Sequence, residues 1–586
     1  MSELTGKAFD LKLFKRVFGF VKAYQKAFYF TAILTIAMSF LAPIRTLLIQ
    51  KTLDDYIQVG NEQGLVIMCL IILGVLVLSA VFQFIQTYLA NYLGEAVIRD
   101  MRVNAYHKII NYKLRFFDQT PIGSLVTRVT SDMQAISEIF SSGILIIISD
   151  LLQLILVVVT MMYINVELTL ITIIPIPLLI WATNIFKNKI KLAFQEVRKE
   201  VSRLNVFVQE HVSGMSLVQV FNRQQKEFEK FKKINESHKA AHIKTVWANS
   251  IFFPVVEILS ALSLALLVWW GTKGALQGKI TQGEILAFIL LIHMLFRPIR
   301  QLADRFNTLQ MGMVAAERVF KVLDENAYIE DNGDITHHHI KGEISFKNVW
   351  FAYDDETFIL KDVSFEVKPG EKIAIVGATG AGKSSIINIL SRFYEFDKGE
   401  ILLDGQSIRD YNLMDLRQEI GVVLQDVFLF SDSILNNITF GDPNIKKEDV
   451  IAAAKAVGAH DFIARLPGGY DYNVKERGAL LSVGQRQLIS FIRAYVFNPK
   501  ILVLDEATSS IDTETEELIQ QATEKLTEGR TSIIIAHRLA TVNKADKIIV
   551  LDQGEIVEMG TREKLLQIED GFFKRLHDYQ FNMDED

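Results

Sequence analysis

The octet GATGAGKS, residues 377–384, sets three glycines beside a lysine and a hydroxyl, the residue types that grip a polyphosphate. It fits G-x-x-x-x-G-K-[ST], and it lies between an apolar run, KIAIV, and a helical pattern, SSIINILSRF, as that motif requires. Glycines let backbone N–H groups converge on phosphate oxygens, and the helix N-terminus adds a partial positive charge. The candidate nucleotide contacts are Gly377, Ala378, Thr379, Gly380, Ala381, Gly382, Lys383, Ser384 and Ser385. Lys383 is expected on the β- and γ-phosphates and Ser384 on Mg²⁺. Further on, ILVLDEATSSID (501–512) reads as a buried strand ending in Asp505, where a Mg²⁺-linked carboxylate is needed. Glu506 beside it can polarise an attacking water as a general base. A second buried strand, in IIIAHRL, ends at His537, placed to contact a γ-phosphate. Phosphoryl transfer needs little else, because positioning and charge stabilisation supply most of the catalysis.

Those groups need a scaffold, and the chain divides in two to supply it. At 586 residues it is long enough for at least two domains; half its residues are hydrophobic and its mean hydropathy is +0.23. The long apolar runs fall in 1–325, whereas 341–586 mixes short β-branched runs with glycine and charge. Between them, 326–340 is expected to be a solvated linker; His337, His338 and His339 are neighbours and poorly placed to share one ion. Six runs are long enough to span a bilayer as helices: 27–49, 64–89, 140–163, 167–187, 249–271 and an interrupted one at 283–300.

The connections after the second and fourth spans are long and basic (Arg99, Arg102, Lys108, Arg115, Arg128; Lys187, Lys189, Lys191, Arg198, Lys199). The first short connection carries Asp54, Asp55 and Glu62, so both termini are expected in the cytoplasm of a cell-membrane protein. The basic stretches keep helical periodicity, which predicts helices protruding beyond the bilayer, with Gly or Pro breaks forming short transverse helices within 116–132 and 210–224. Arg45, Asp150, Glu257 and His293 fall inside spans. They are either paired structural groups or, for Asp150, Glu257 and His293, a substrate pathway. The net charge of −6 argues against a nucleic-acid partner, and the single cysteine, Cys69, excludes an intramolecular disulfide. The charged N-terminus precedes a run too long for a cleaved signal.

In chain order the sequence presents Tyr353 in FAYDDE, GATGAGKS, Gln425 in GVVLQDVFLF, LLSVGQRQ at 480–487, LVLDEATSSID and IIIAHRL. That order and spacing resemble the nucleotide-binding domain of ATP-binding cassette (ABC) transporters. With six spans ahead of it, the chain resembles an exporter half-transporter over essentially its full length. The resemblance implies an α-helical transmembrane bundle with long cytoplasmic helices, and an α/β P-loop ATPase domain with antiparallel β and helical subdomains. It implies that Tyr353 stacks on adenine, Gln425 joins Mg²⁺ to the membrane domain, Asp512 lies in the loop linking two sites, and His537 senses the γ-phosphate. Glu476, in NVKERG, matches a segment that exporters set against their coupling helices, which 116–132 and 210–224 resemble. ATP and Mg²⁺ are the implied cofactors. The implied activity is ATP-driven export of an amphipathic drug, lipid or peptide by alternating access. A lipid flippase of the same architecture and an ATP-gated channel are the alternatives, and intact Glu506 and His537 favour turnover over gating. A soluble ATPase of the family would lack the spans, and an importer usually divides its domains among separate chains.

LLSVGQRQ resembles the family's signature loop, LSGGQ, with Val483 where the first glycine belongs. By that resemblance Ser482, Val483, Gly484 and Gln485 meet the γ-phosphate of a nucleotide held by a second chain, so the protein must dimerise. Ser482 and Gln485 also form an S-x-x-Q capping box, which needs no ligand to explain it. Valine stiffens the backbone and adds bulk where glycine allows close approach, which predicts a weaker or slower site. Two partners fit: a second copy from a branch that tolerates valine, or a different half-transporter with unequal sites.

Overall fold

The computed structural model describes residues 11–140, 144–336, 340–354, 357–505, 513–536 and 542–584. His337–His339, Glu506, Asp512 and His537 lie outside the described residues. The chain forms two compact units, Met1–Ile110 with Ile122–Glu325, and Asn111–Pro121 with Asn326–Asp586.

In the first unit six helical stretches among the described residues are long and apolar enough to cross a bilayer: Lys12–Ile57, Glu62–Ile110, Ile146–Ile164, Val166–Ser213, Gln224–Leu276 and Gln282–Ile299. Several run far past the lipid. The helix Gln224–Leu276 has 53 residues, about 80 Å at 1.5 Å per residue, against a hydrocarbon core of about 30 Å. Its polar half is laced by ion pairs such as Lys230–Glu227 at 2.8 Å and Lys239–Glu236 at 3.0 Å. Lys244 reaches Glu196 of the helix Ile176–Ser213 at 2.6 Å. Within the first span, buried threonines satisfy themselves on their own helix: Thr31 Oγ1 donates to Ala27 O at 2.7 Å and Thr35 Oγ1 to Thr31 O at 2.8 Å.

The interrupted sixth apolar run lies on one continuous helix, Gln282–Asp324, which passes straight through Pro298. Lipid offers freed carbonyls no water, so a single proline costs less than opening the helix there. A helix break falls in the fourth span, where Pro175 separates Val166–Ile173 from Ile176–Ser213. The 116–132 stretch forms Leu114–Gln119 and Ile122–Val129, divided at Pro121, and the 210–224 stretch forms Met215–Val220 after Gly214.

Among its described residues the second unit has two sheets. The antiparallel one, in the order β2-β1-β4-β5, comprises β1 (Ile344–Phe351), β2 (Leu360–Val367), β4 (Lys398–Leu403) and β5 (Gln406–Ser407). The six-stranded one, in the order β10-β9-β3-β8-β7-β6, comprises β3 (Lys372–Gly377), β6 (Ile420–Val423), β7 (Ile501–Asp505), β8 (Thr531–Ile535), β9 (Lys547–Asp552) and β10 (Glu555–Gly560). ILVLD and TSIII are buried at every position, as strands covered on both faces must be. A separate helical core gathers Ile434, Val450, Ile463, Leu488 and Ile492 around the helix Val483–Phe497.

The stretch expected to be a solvated linker is exposed at Asn326, Glu330, Asp331, Asn332, Asp334 and Thr336, while Ala327 and Ile340 are buried and Ile335 is bonded to a later segment. Ile335 N donates to Asp410 O at 3.0 Å and Asn412 N to Ile335 O at 3.1 Å, a parallel bridge between Ile335 and Tyr411. Arg392, 2% exposed, donates from Nη2 to Glu330 O at 3.1 Å, from Nη1 to Ile408 O at 3.2 Å, and from Nε to Glu395 at 3.1 Å. Replacing Arg392 with methionine leaves those carbonyls without their donor. The expected loss is about 3 kcal/mol of stability, read as a lower unfolding midpoint of the purified chain.

Candidate nucleotide site

GATGAGKS closes a tight loop between β3 and the helix Lys383–Leu390. Gly382 caps that helix at φ +101°, and a Cβ there would come within 2.8 Å of Leu360 Cδ2 and 3.2 Å of Ile359 O. Only glycine fits a left-handed position pressed against backbone in this way. Lys383 is 7% exposed, and its Nζ donates to Gly377 O at 2.9 Å and Ala378 O at 3.0 Å. Burial pushes its ammonium below the usual lysine range, with Asp505 opposing the shift. Ser384 Oγ donates to Asp505 Oδ2 at 3.4 Å, which brings the hydroxyl of the loop to the end of β7.

Strand register levels these ends. Val423 pairs with Leu504, Asp505 with Ile535, and Ile375 with Ile535, so β6, β7, β8 and β3 finish side by side. Ligands of parallel sheets collect at that edge. Gln425 lies two residues beyond β6 and is exposed, while Glu506 and His537 follow β7 and β8 in sequence but lie outside the described residues.

Tyr353 is half-buried, and its hydroxyl meets Ser385 Oγ at 3.2 Å and accepts from Asn388 Nδ2 at 2.8 Å, both on the helix that begins at Lys383. Sequence reasoning missed Asn388 and Tyr394. The second stands edge-on to Tyr353, ring centroids 5.0 Å apart, and its hydroxyl donates to Asp118. Burial raises the Tyr394 phenol above its ordinary range, and the bond to Asp118 adds to the rise.

The signature stretch starts the helix Val483–Phe497, with Ser482 as N-cap. The reciprocal box forms: Gln485 N donates to Ser482 Oγ at 3.2 Å and Ser482 N to Gln485 Oε1 at 3.0 Å. Val483 is therefore the first helical residue, and it is not among the residues with positive φ. The valine imposes no backbone strain. What it adds is a branched side chain, 43% exposed, at the open end of a helix where Ser482 is also exposed and Gly484 is buried. Arg486, unread in the sequence, braces the loop by donating from Nη1 to Leu481 O at 2.8 Å. Glu476 is exposed in the single turn Glu476–Gly478, between Lys475 and Arg477, both at positive φ.

In the membrane unit Asp150 is half-buried, 3.8 Å from Arg305 across two helices. Glu257 and His293 are exposed on two helices, Gln224–Leu276 and Gln282–Asp324, and Arg45 is half-buried on Gln25–Lys51.

A six-helix membrane unit joined to a P-loop α/β unit, with a capped signature helix on its own helical core, defines an ATP-driven membrane transporter. Family models agree: the ABC transporter transmembrane region matches residues 28–299 and the ABC transporter model matches 360–509. An uncharacterised ABC transporter ATP-binding protein, YknV, of Bacillus subtilis (strain 168) is 38% identical over 569 residues, covering 96% of this chain and 94% of that protein. The ATP-dependent lipid A-core flippase of Syntrophus aciditrophicus (strain SB) is 34% identical over 576 residues, covering 98% and 96%. A solved bacterial Atm1-family ABC exporter with ATP bound superposes with a TM-score of 0.76 at 28% identity, covering 94% of this chain and 97% of that one. The chain belongs to the ABC transporter family, as a multi-pass exporter half-transporter that couples ATP hydrolysis to transport.

Proposed function

We propose that this chain exports an amphipathic substrate as one half of a dimer with a different half-transporter, its ATPase unit and both termini in the cytoplasm. One observation carries the choice of partner: Val483 is exposed at the head of the signature helix, so its bulk projects where a partner's nucleotide would approach instead of folding into the core. The phosphate-gripping half is complete in GATGAGKS and Asp505, so the site built on this chain's own nucleotide turns over when a partner supplies a glycine-bearing signature. In it Lys383 would hold the β- and γ-phosphates, Tyr353 the adenine, and Glu506 the attacking water. Ser384 and Asp505 offer a hydroxyl and a carboxylate oxygen side by side, a hard-oxygen pair suited to Mg²⁺ completed by phosphates and water. The ion would neutralise charge developing on the transferred phosphoryl group.

The similarity to lipid A-core flippases over nearly the whole chain supports a lipid-like or drug-like amphiphile as cargo. Asp150, Glu257 and His293 are the candidates for polar contact with it. The reading is tested on the chain purified alone in liposomes. Little ATPase activity is expected from the wild type, and Val483→Gly is expected to raise it several-fold by giving two copies unhindered signatures. Full activity in the wild type, unchanged by Val483→Gly, would make the working unit a homodimer.

A further inference from the structure

The nucleotide end of the second unit is bonded to residues that sequence places directly after a membrane-spanning helix. Asn111–Pro121 follows the helix Glu62–Ile110 without a gap, yet it packs as part of the second unit. Contacts among the described residues hold it there. Lys113 N donates to Ala327 O at 2.7 Å, Tyr112 stacks at a tilt on Tyr328 with centroids 5.5 Å apart, and Asp118 accepts from the Tyr394 hydroxyl. The first two lie beside the polar stretch that follows residue 325. The third leads inward to the nucleotide site.

Tyr394 is 8% exposed, and its ring meets Tyr353 edge-on, centroids 5.0 Å apart at 88°, and Phe351 at 5.9 Å. Asn388 joins the two tyrosines a second time, since its carbonyl accepts from Tyr394 N at 3.3 Å and its side-chain amide donates to the Tyr353 hydroxyl at 2.8 Å. Ser385 Oγ completes the set at 3.2 Å from that hydroxyl. Ser385 and Asn388 stand on the helix whose first residues are Lys383 and Ser384. The base-side tyrosine, the helix that grips phosphate and the 111–121 segment thus share one continuous network. Its outer end is a phenol–carboxylate bond, while its inner end is held by two hydrogen bonds and two ring contacts. A shift of Tyr353 on meeting a flat base would move the Tyr394 ring, and the Asp118 bond would register the movement. Packed and bonded groups transmit such shifts because close packing resists continuous deformation.

We propose that Tyr394 is a positioning residue that reports occupancy of the base side of the nucleotide site, at Tyr353, to the 111–121 segment through Asp118. The proposal rests on the reading that Tyr353 borders the adenine. The test is hydrogen–deuterium exchange of backbone amides in 111–121, on the full-length transporter in nanodiscs of phosphatidylethanolamine and phosphatidylglycerol. It compares the nucleotide-free protein with protein saturated by the non-hydrolysable analogue AMP-PNP and Mg²⁺. Wild type is expected to show a nucleotide-dependent change in this segment. Tyr394→Phe keeps the ring but removes the hydroxyl, and Asp118→Ala removes the acceptor; each is expected to abolish the change, and the double variant to add nothing further. A purely structural bond would alter exchange equally with and without nucleotide. Survival of the nucleotide-dependent change in both single variants would overturn the proposal, as would its absence from wild type. Tyr353→Ala tests the underlying reading separately, with an expected loss of about tenfold in affinity for the analogue from a lost stacking partner. Unchanged affinity there would refute the base contact, whatever Tyr394→Phe shows.

Discussion

Lys383→Ala is expected to lower the ATP hydrolysis rate by about a thousandfold, the scale seen when one preorganised charge-stabilising donor is removed from a water-poor site. The ammonium stands buried against backbone. It is 7% exposed and satisfied by two backbone carbonyls, Gly377 O at 2.9 Å and Ala378 O at 3.0 Å. Burial holds it below the ordinary lysine range, so the charged form is costly there and a polyphosphate would relieve that cost. Without nucleotide, then, the substitution removes two hydrogen bonds but also a desolvated charge. The two changes oppose each other, and the unfolding free energy should change by no more than about 1 kcal/mol. With nucleotide the difference is large. A ligand at a hundred times its dissociation constant stabilises the folded chain by about 2.7 kcal/mol, and that gain should vanish in the variant. Thermal unfolding with and without ATP, beside a steady-state ATPase assay, measures both. A variant that keeps the ATP-induced stabilisation while losing turnover would place Lys383 in catalysis alone; one that keeps both would remove it from the site.

Features visible in the sequence were those whose physics is local. The capping box of Ser482 and Gln485 spans three residues, so the spacing alone determines which N–H meets which oxygen. The glycine loop before Lys383 is equally short, and the spans follow from the length of apolar run a bilayer demands. Proline was the unreliable local signal, because Pro175 ends a helix whereas Pro298 lies within one, and the difference depends on the neighbours each meets. Contacts between distant segments left no trace in any window. Tyr394 and Asp118 are 276 positions apart. The bridge from Ile335 to Tyr411 ties a largely exposed stretch to a distant segment, and Gly333 belongs to it because any Cβ there would overlap the Tyr411 carbonyl. Val483 stands between these cases. Its departure from the family pattern was plain in the sequence, but only the structure separates bulk from backbone strain, by placing the valine in the first turn of an ordinary helix.

Asp505→Asn is expected to cut turnover by about a hundredfold to a thousandfold with the fold intact, and the companion change Ser384→Ala to act through the same ion. Asp505 is 8% exposed, yet it sits at the end of a strand whose other residues are fully apolar, so a neutral amide of the same shape is tolerated there. What the amide lacks is charge. A divalent cation held by the Ser384 hydroxyl, the Asp505 carboxylate and phosphate oxygens would lose an anionic protein ligand, and Mg²⁺ sheds its water reluctantly for a neutral donor. The expected signature is a higher Mg²⁺ concentration for half-maximal ATPase activity together with the lower maximum. Because Ser384 Oγ lies 3.4 Å from Asp505 Oδ2, the two side chains fall within the range where effects of substitution stop adding. The double variant should therefore be barely slower than the worse single variant, as for groups that act as a unit. If the two losses multiplied instead, Ser384 and Asp505 would be serving separate steps, and the shared-ion arrangement would have to be given up even though each residue mattered.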